Sequence, residues 1–183
     1  TDAWHPQVNG VVRTLEEVTS HLCAAGHRVE IVSPERFPGF AMPSYPEIRL
    51  SLVFPASLRK IIRGFLPDQI HIATEGPLGL AARRACLQLK RPFTTSYHTR
   101  FPEYVRVRLP IPLSWSYAFM RRFHNAGTAC LVATPSIAAI LRDHGFKTVV
   151  NWTRGIDRER FHPRPGDTLA RDNGWQRPIF MNV

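Results

Sequence analysis

The 183 residues carry 44% hydrophobic side chains, enough for one domain with a sizeable core plus a tail, and no apolar run approaches the ~20 residues that cross a bilayer, so the chain reads as soluble and ordered. With 21 arginines against three lysines the formal net charge is +10, a balance that draws nucleic acid, an anionic membrane face or phosphate-bearing substrates, or that reflects only an arginine-rich base composition. The arginines are scattered rather than massed, so nucleic acid is not expected; Cys23, Cys86 and Cys130 are too widely spaced for a disulfide framework or a zinc site and read as small buried residues of a cytoplasmic protein.

Thr1-Asp2 reads as the end of a strand. The loop Trp4 to Gly10 leads into a helix over Val11–Leu22, where Val11, Leu15, Val18 and Leu22 recur at helical spacing, and Gly26 stops it. Val29–Ser33 follows as a buried strand, completing a βαβ unit. Gly10 stands at the mouth of the helix. A glycine there admits a ligand close to the backbone, and the unpaired N–H groups of a first turn carry about half a positive charge, which makes an anion site. The same glycine would also serve a plain turn. No G-x-G-x-x-G occurs, which counts against a nicotinamide or flavin dehydrogenase.

Pro34 to Pro46 is proline-rich and reads as a surface loop, followed by a strand over Ile48–Val53. Ser57–Phe65 sets Leu58, Ile61, Ile62 and Phe65 on one helical face and Arg59, Lys60 and Arg63 on the other. That pattern fits an amphipathic helix packed on a sheet, or one touching a membrane interface. Gln69–Ala73 is a short strand, and Thr74-Glu75-Gly76-Pro77 turns it into a helix over Leu78–Lys90. Glu75 sits where a carboxylate either accepts hydrogen bonds from a sugar or caps that helix.

Phe93 to Tyr97, after Arg91-Pro92, reads as a strand whose continuation His98-Thr99-Arg100 turns abruptly polar. In open α/β sheets ligands lie outside the carboxyl ends of the strands, so His98 is placed for a small-molecule site, or else hydrogen-bonds a loop. Pro110 and Pro112 break the chain before a helix over Leu113–His124. Cys130–Ala133 is a buried strand, Ser136 caps a helix over Ile137–His144, Gly145 ends it, and Lys147–Val150 is a last strand. The expectation is an α/β domain over residues 1–157. A charged linker over 158–177 and a fresh strand over 178–183 would then open a second domain.

Taken together, Thr1-Asp2-Ala3-Trp4-His5-Pro6-Gln7-Val8-Asn9-Gly10-Val11, Gly26-His27-Arg28-Val29, Thr74-Glu75-Gly76-Pro77-Leu78-Gly79, Ser96-Tyr97-His98-Thr99-Arg100-Phe101 and Arg154-Gly155-Ile156-Asp157 with Phe161-His162-Pro163 resemble the N-terminal half of a family 4 glycosyltransferase of GT-B architecture. The likeness is greatest to GDP-mannose-dependent α-mannosyltransferases and their sulfoquinovosyl relatives. It implies a Rossmann-like parallel sheet flanked by helices that holds the acceptor, facing a second domain that holds the nucleotide-sugar. His98 would hydrogen-bond the transferred sugar near the reacting carbon. Asn9 and Gly10 would lie against donor phosphate or acceptor, and Thr99, Arg100 and Glu75 would contribute to binding.

The implied activity is retaining transfer of a hexose, mannose foremost, from a nucleotide-diphosphate sugar to a lipid or glycan, at the inner face of an anionic membrane. No cofactor or metal is expected, since D-x-D is absent, and E-x₇-E is absent too, so these residues alone should not turn over. Two other readings stay open. One is a GT-B-type nucleotide-sugar epimerase, which would bring more acid and base side chains to this cleft; the other is a non-enzymatic basic binding module, betrayed by salt-dependent DNA binding that ignores nucleotide-sugars.

Overall fold

A computed structural model describes residues 1–42, 45–98, 101–108, 110–153, 155, 158, 159, 162 and 172–176. Four parallel strands form the main sheet: β3 (His71–Ile72), β4 (Thr94–Tyr97), β5 (Ala129–Val132) and β6 (Val149–Asn151), side by side in chain order. Each parallel step needs a crossover, supplied by helix α3 (Pro77–Gln88) after β3, by α4 (Phe101–Arg108) and α5 (Leu113–His124) after β4, and by α6 (Pro135–Asp143) after β5. This is the α/β, Rossmann-like arrangement the sequence predicts. Helix α1 (Gly10–Ala24) precedes it, and α2 (Pro55–Phe65) packs against α3.

Two apolar clusters join the layers. Tyr97, Cys130, Val132 and Val149 of the sheet meet Tyr117 and Met120 of α5 and Ala138 and Leu141 of α6. Ile72 and Phe93 meet Cys86 of α3 and Phe123 of α5. Large side chains buried this fully contribute roughly 1.5–3 kcal/mol each, and they fix which strand ends line up. Because side chains alternate along β4, Thr95 and Tyr97 face α5, and Ser96 faces the opposite side, where its hydroxyl meets His71 Nε2 at 2.9 Å.

The structure departs from the sequence reading in five places. Val29–Ser33 forms no strand among the described residues. The Thr1 amine donates to the Val32 carbonyl at 3.0 Å, but no ladder builds on that contact among the described residues. The proline-rich segment is not a plain loop. It holds a 3-10 turn, Pro34–Arg36, and strand β1 (Gly39–Met42), antiparallel to β2 (Tyr45–Ser51). Both strands of such a hairpin are edges, where Pro46 is tolerated, and a Cβ on Gly39 would lie 2.4 Å from the Leu50 carbonyl oxygen.

Helix α4 arises where the sequence reading assigns no element, between the polar tract at His98 and the prolines at 110 and 112. Pro102 is its second residue, a position where the missing N–H costs nothing, and Tyr117 Oη donates to Glu103 Oε1 at 2.7 Å to tie it to α5. Helix α6 is capped by Thr134, whose Oγ1 accepts the Ile137 amide, because Pro135 takes the first helical position and leaves Ser136 inside the helix. Cys86 and Cys130 are buried as expected; Cys23, in the last turn of α1, is exposed. The expected linker lies largely, and the strand over 178–183 wholly, outside the described residues. No helix of the described residues is long and apolar enough to cross a membrane.

Candidate functional site

At the carboxyl edge of β3 and β4 the chain leaves a cavity of about 460 Å³, lined by Asn9, Gly10, Thr74, Glu75 and His98 together with Ala3, Val11 and Ala73. The parallel register sets Ile72 beside Thr95, so β4 runs two residues past the end of β3 and Glu75 comes level with His98. The residues that follow them, Thr74-Glu75 and His98, are therefore neighbours in space. The mouth of α1 closes the cavity. Four residues singled out in the sequence thus meet in one place; Thr99 and Arg100 lie outside the described residues.

The Asn9 side chain is engaged within the fold. Its Oδ1 caps α1 by accepting the amides of Val11 and Val12, both at 3.0 Å, and its Nδ2 donates to Gln7 Oε1. The Arg13 amide bonds the Asn9 carbonyl. Of the amides in this first turn, that of Gly10 has no partner among the described residues, and it borders the cavity. A vacant N–H on a helix mouth, with no side chain over it, is suited to an anionic oxygen.

Glu75 does not cap α3. That place belongs to Asp2, whose Oδ1 accepts the Leu78 amide at 2.8 Å and whose Oδ2 accepts the Gly79 amide at 3.0 Å and the Thr74 hydroxyl at 2.8 Å. The glycines of Thr74-Glu75-Gly76-Pro77-Leu78-Gly79 make room for this clasp. A Cβ on Gly76 would stand 2.6 Å from Asp2 Oδ1, and one on Gly79 would stand 1.9 Å from the Thr74 carbonyl oxygen. With Asp2 on the helix, Glu75 is left to the cavity, and its Oε1 accepts from His124 Nε2 at 3.1 Å.

His98 is half-buried at the end of β4, its ring centroid 6.4 Å from that of Trp152, which follows β6. His124, at the end of α5, is buried behind the cavity with Nδ1 2.8 Å from Thr95 Oγ1. The sequence reading misses Asp2, His124 and Trp152. Asp2 and His124 act across 76 and 49 residues of chain, and no local pattern marks such pairs. Among the described residues no group of three or more His, Cys, Asp or Glu side chains could hold a metal ion.

Comparison with known proteins puts this geometry in a lineage. The chain is 30% identical over 179 residues to the GDP-mannose-dependent alpha-mannosyltransferase of Corynebacterium glutamicum, covering 88% of this chain and 43% of that protein. It is 27% identical over 188 residues to the protein of the same name from Mycobacterium tuberculosis, covering 93% of this chain and 50% of the relative. An alpha-monoglucosyldiacylglycerol synthase of Streptococcus pneumoniae is 27% identical over 118 residues, 57% of this chain and 27% of that one. The chain therefore spans half or less of the length of these relatives, and no solved structure gives a significant match. The sequence profile described as Glycosyltransferase Family 4 matches residues 8–160, most of the chain, and the chain belongs to glycosyltransferase family 4.

Proposed function

We propose that this chain is the acceptor-side half of a retaining, two-domain GT-B glycosyltransferase that moves a hexose, mannose foremost, from a nucleotide-diphosphate sugar such as GDP-mannose to a hydroxyl of a lipid or glycan. The observation that supports the reading is the shared cavity, which the Gly10 amide, the His98 imidazole and the Glu75 carboxylate all border. At about 460 Å³ it falls within the roughly 300–1,000 Å³ of small-molecule sites. The names of the mannosyltransferase relatives support GDP-mannose as donor, and the name of the diacylglycerol synthase supports a lipid acceptor.

In this reading the bond from the sugar's anomeric carbon to the phosphate oxygen breaks, the acceptor oxygen bonds that carbon on the same face, and the acceptor proton leaves with the phosphate. Negative charge grows on the departing phosphate, where the Gly10 amide and the positive end of α1 stabilise it. Positive charge grows on the sugar, beside the polar ring of His98. Glu75 accepts hydrogen bonds from sugar or acceptor hydroxyls and fixes their orientation. Thr99 and Arg100, next to His98 in sequence, complete the acceptor side. No metal or cofactor takes part.

The membrane surface belongs to the same proposal. Helix α2 spends Leu58, Ile61 and Ile62 on its contact with α3, and it turns Lys60 and Arg63 outward, with Phe54 and Leu66 exposed at its two ends. An anionic bilayer attracts such a face by about 1 kcal/mol per basic residue close to it, which brings lipid acceptors to the cavity.

The test is transfer of labelled hexose from GDP-mannose to extracted lipids by the full-length protein that carries this chain. His98→Ala is expected to lower kcat about 10²-fold, the cost of one lost transition-state contact, with the melting temperature nearly unchanged. No transfer from any nucleotide-sugar, or a His98→Ala variant within twofold of the parent, overturns the reading.

A further inference from the structure

From the contacts behind the cavity wall we infer that His124 is a positioning residue for sugar transfer, holding the Glu75 carboxylate in the orientation that receives a substrate hydroxyl. The inference rests on the reading of the cavity as a sugar site. It begins with an imidazole that is only 1% exposed, ringed by the aromatic side chains of Tyr97, Phe123 and Phe146 at centroid distances of 5.8, 5.1 and 5.7 Å. A polar ring in such surroundings is costly unless both nitrogens are served.

Both nitrogens are. Nε2 lies 3.1 Å from Glu75 Oε1, and Nδ1 lies 2.8 Å from Thr95 Oγ1, with Cys130 Sγ farther off at 3.5 Å. A carboxylate oxygen accepts, so Nε2 carries the hydrogen of that bond, and Nδ1 shares the second bond with the Thr95 hydroxyl. The Ala129 carbonyl, 3.3 Å from the same hydroxyl, is a longer alternative. Thr95 is itself fixed in the centre of the parallel ladder, paired with Ile72 and Cys130. A relay thus runs from the sheet through Thr95 and His124 to Glu75.

Glu75 differs from His124 in being open to the cavity, its side chain 21% exposed against 0%. One carboxylate oxygen is tied to the buried ring, and the side chain as a whole borders the same space as Gly10 and His98. A glutamate on a turn would otherwise sample several rotamers, so a substrate hydroxyl would have to order it on binding. The buried ring meets that ordering cost during folding. Its contribution should therefore appear in substrate affinity and turnover, with little effect on the architecture of the site.

The closing experiment compares His124→Phe, which keeps the aromatic packing and removes both bonds, with His124→Gln, which restores a donor near the place of Nε2. In the full-length protein His124→Phe is expected to lower kcat/KM for the acceptor about 10-fold or more, the worth of one hydrogen bond to a charged group, and His124→Gln to recover most of that loss. Adding Glu75→Gln to His124→Phe should cost much less than Glu75→Gln costs alone, because the two side chains act as one unit.

Additive losses, or a folded His124→Phe variant within twofold of the parent, overturn the inference. An unmutated protein that transfers nothing overturns the transferase reading instead. The ¹⁵N spectrum of the imidazoles then still decides the relay: a His124 Nε2 resonance that Glu75→Gln leaves in place overturns it, and one that moves supports it.

Discussion

Single residues in this chain are set apart by what lies next to them more than by what they are. Cys130 and Cys86 are thiols in the core, where burial pushes them up to about 12 and about 11, and Cys23 lies exposed near the end of α1. Only the thiolate attacks, so the native protein should titrate one thiol quickly with a chromogenic disulfide reagent and the other two after denaturant is added. Fast reaction of all three in the native state would contradict the packing of β5 against α5. His98 and Glu75 were legible in the sequence because each sits just past a strand, where an α/β sheet presents its ligands. His124 was hidden, for it reads as one more basic residue at the end of an apolar helix, and its partner is 49 residues away.

Elements show the same division. Helix α5 follows the predicted limits, Leu113 to His124, and the first helix, expected from Val11, runs Gly10–Ala24, since apolar spacing and end residues are local information. Of the hairpin, β2 (Tyr45–Ser51) was legible as the strand expected over Ile48–Val53, but β1 was not, because prolines there mark edge strands and turns alike, and α4 was masked by the polar tract before it. The start of α3 is the clearest case of a long-range cause. Its capping carboxylate comes from Asp2, whereas the sequence reading weighed Glu75, the nearest acid, for that office beside a sugar-binding one. Asp2→Ala should destabilise the fold by about 1–2 kcal/mol, as the loss of a helix cap does. Gly79→Ala should cost more, since its Cβ would overlap the Thr74 carbonyl oxygen at 1.9 Å. Urea unfolding of the two variants checks both the size and the order of these effects.

For the whole molecule, the parallel sheet and its helices place a cavity at the strand ends, in a chain whose formal net charge is +10. The chain should cosediment with vesicles containing anionic lipid, stay free of neutral ones, and be released near 1 M salt, where screening acts within about 3 Å. Binding that ignores lipid charge would remove the membrane surface from the proposal. The clasp of Asp2 on α3 reaches further than stability. Helices α1 and α3 both begin beside the cavity; the second is capped by the protein's own carboxylate, whereas the Gly10 amide at the first has no partner among the described residues. On the proposed reading, a diphosphate ester entering this space would have a head and a tail. Reversed docking, with the ester linkage toward Thr74, would bring its charge toward Asp2, so on that reading which end leads would be chosen before any chemistry begins.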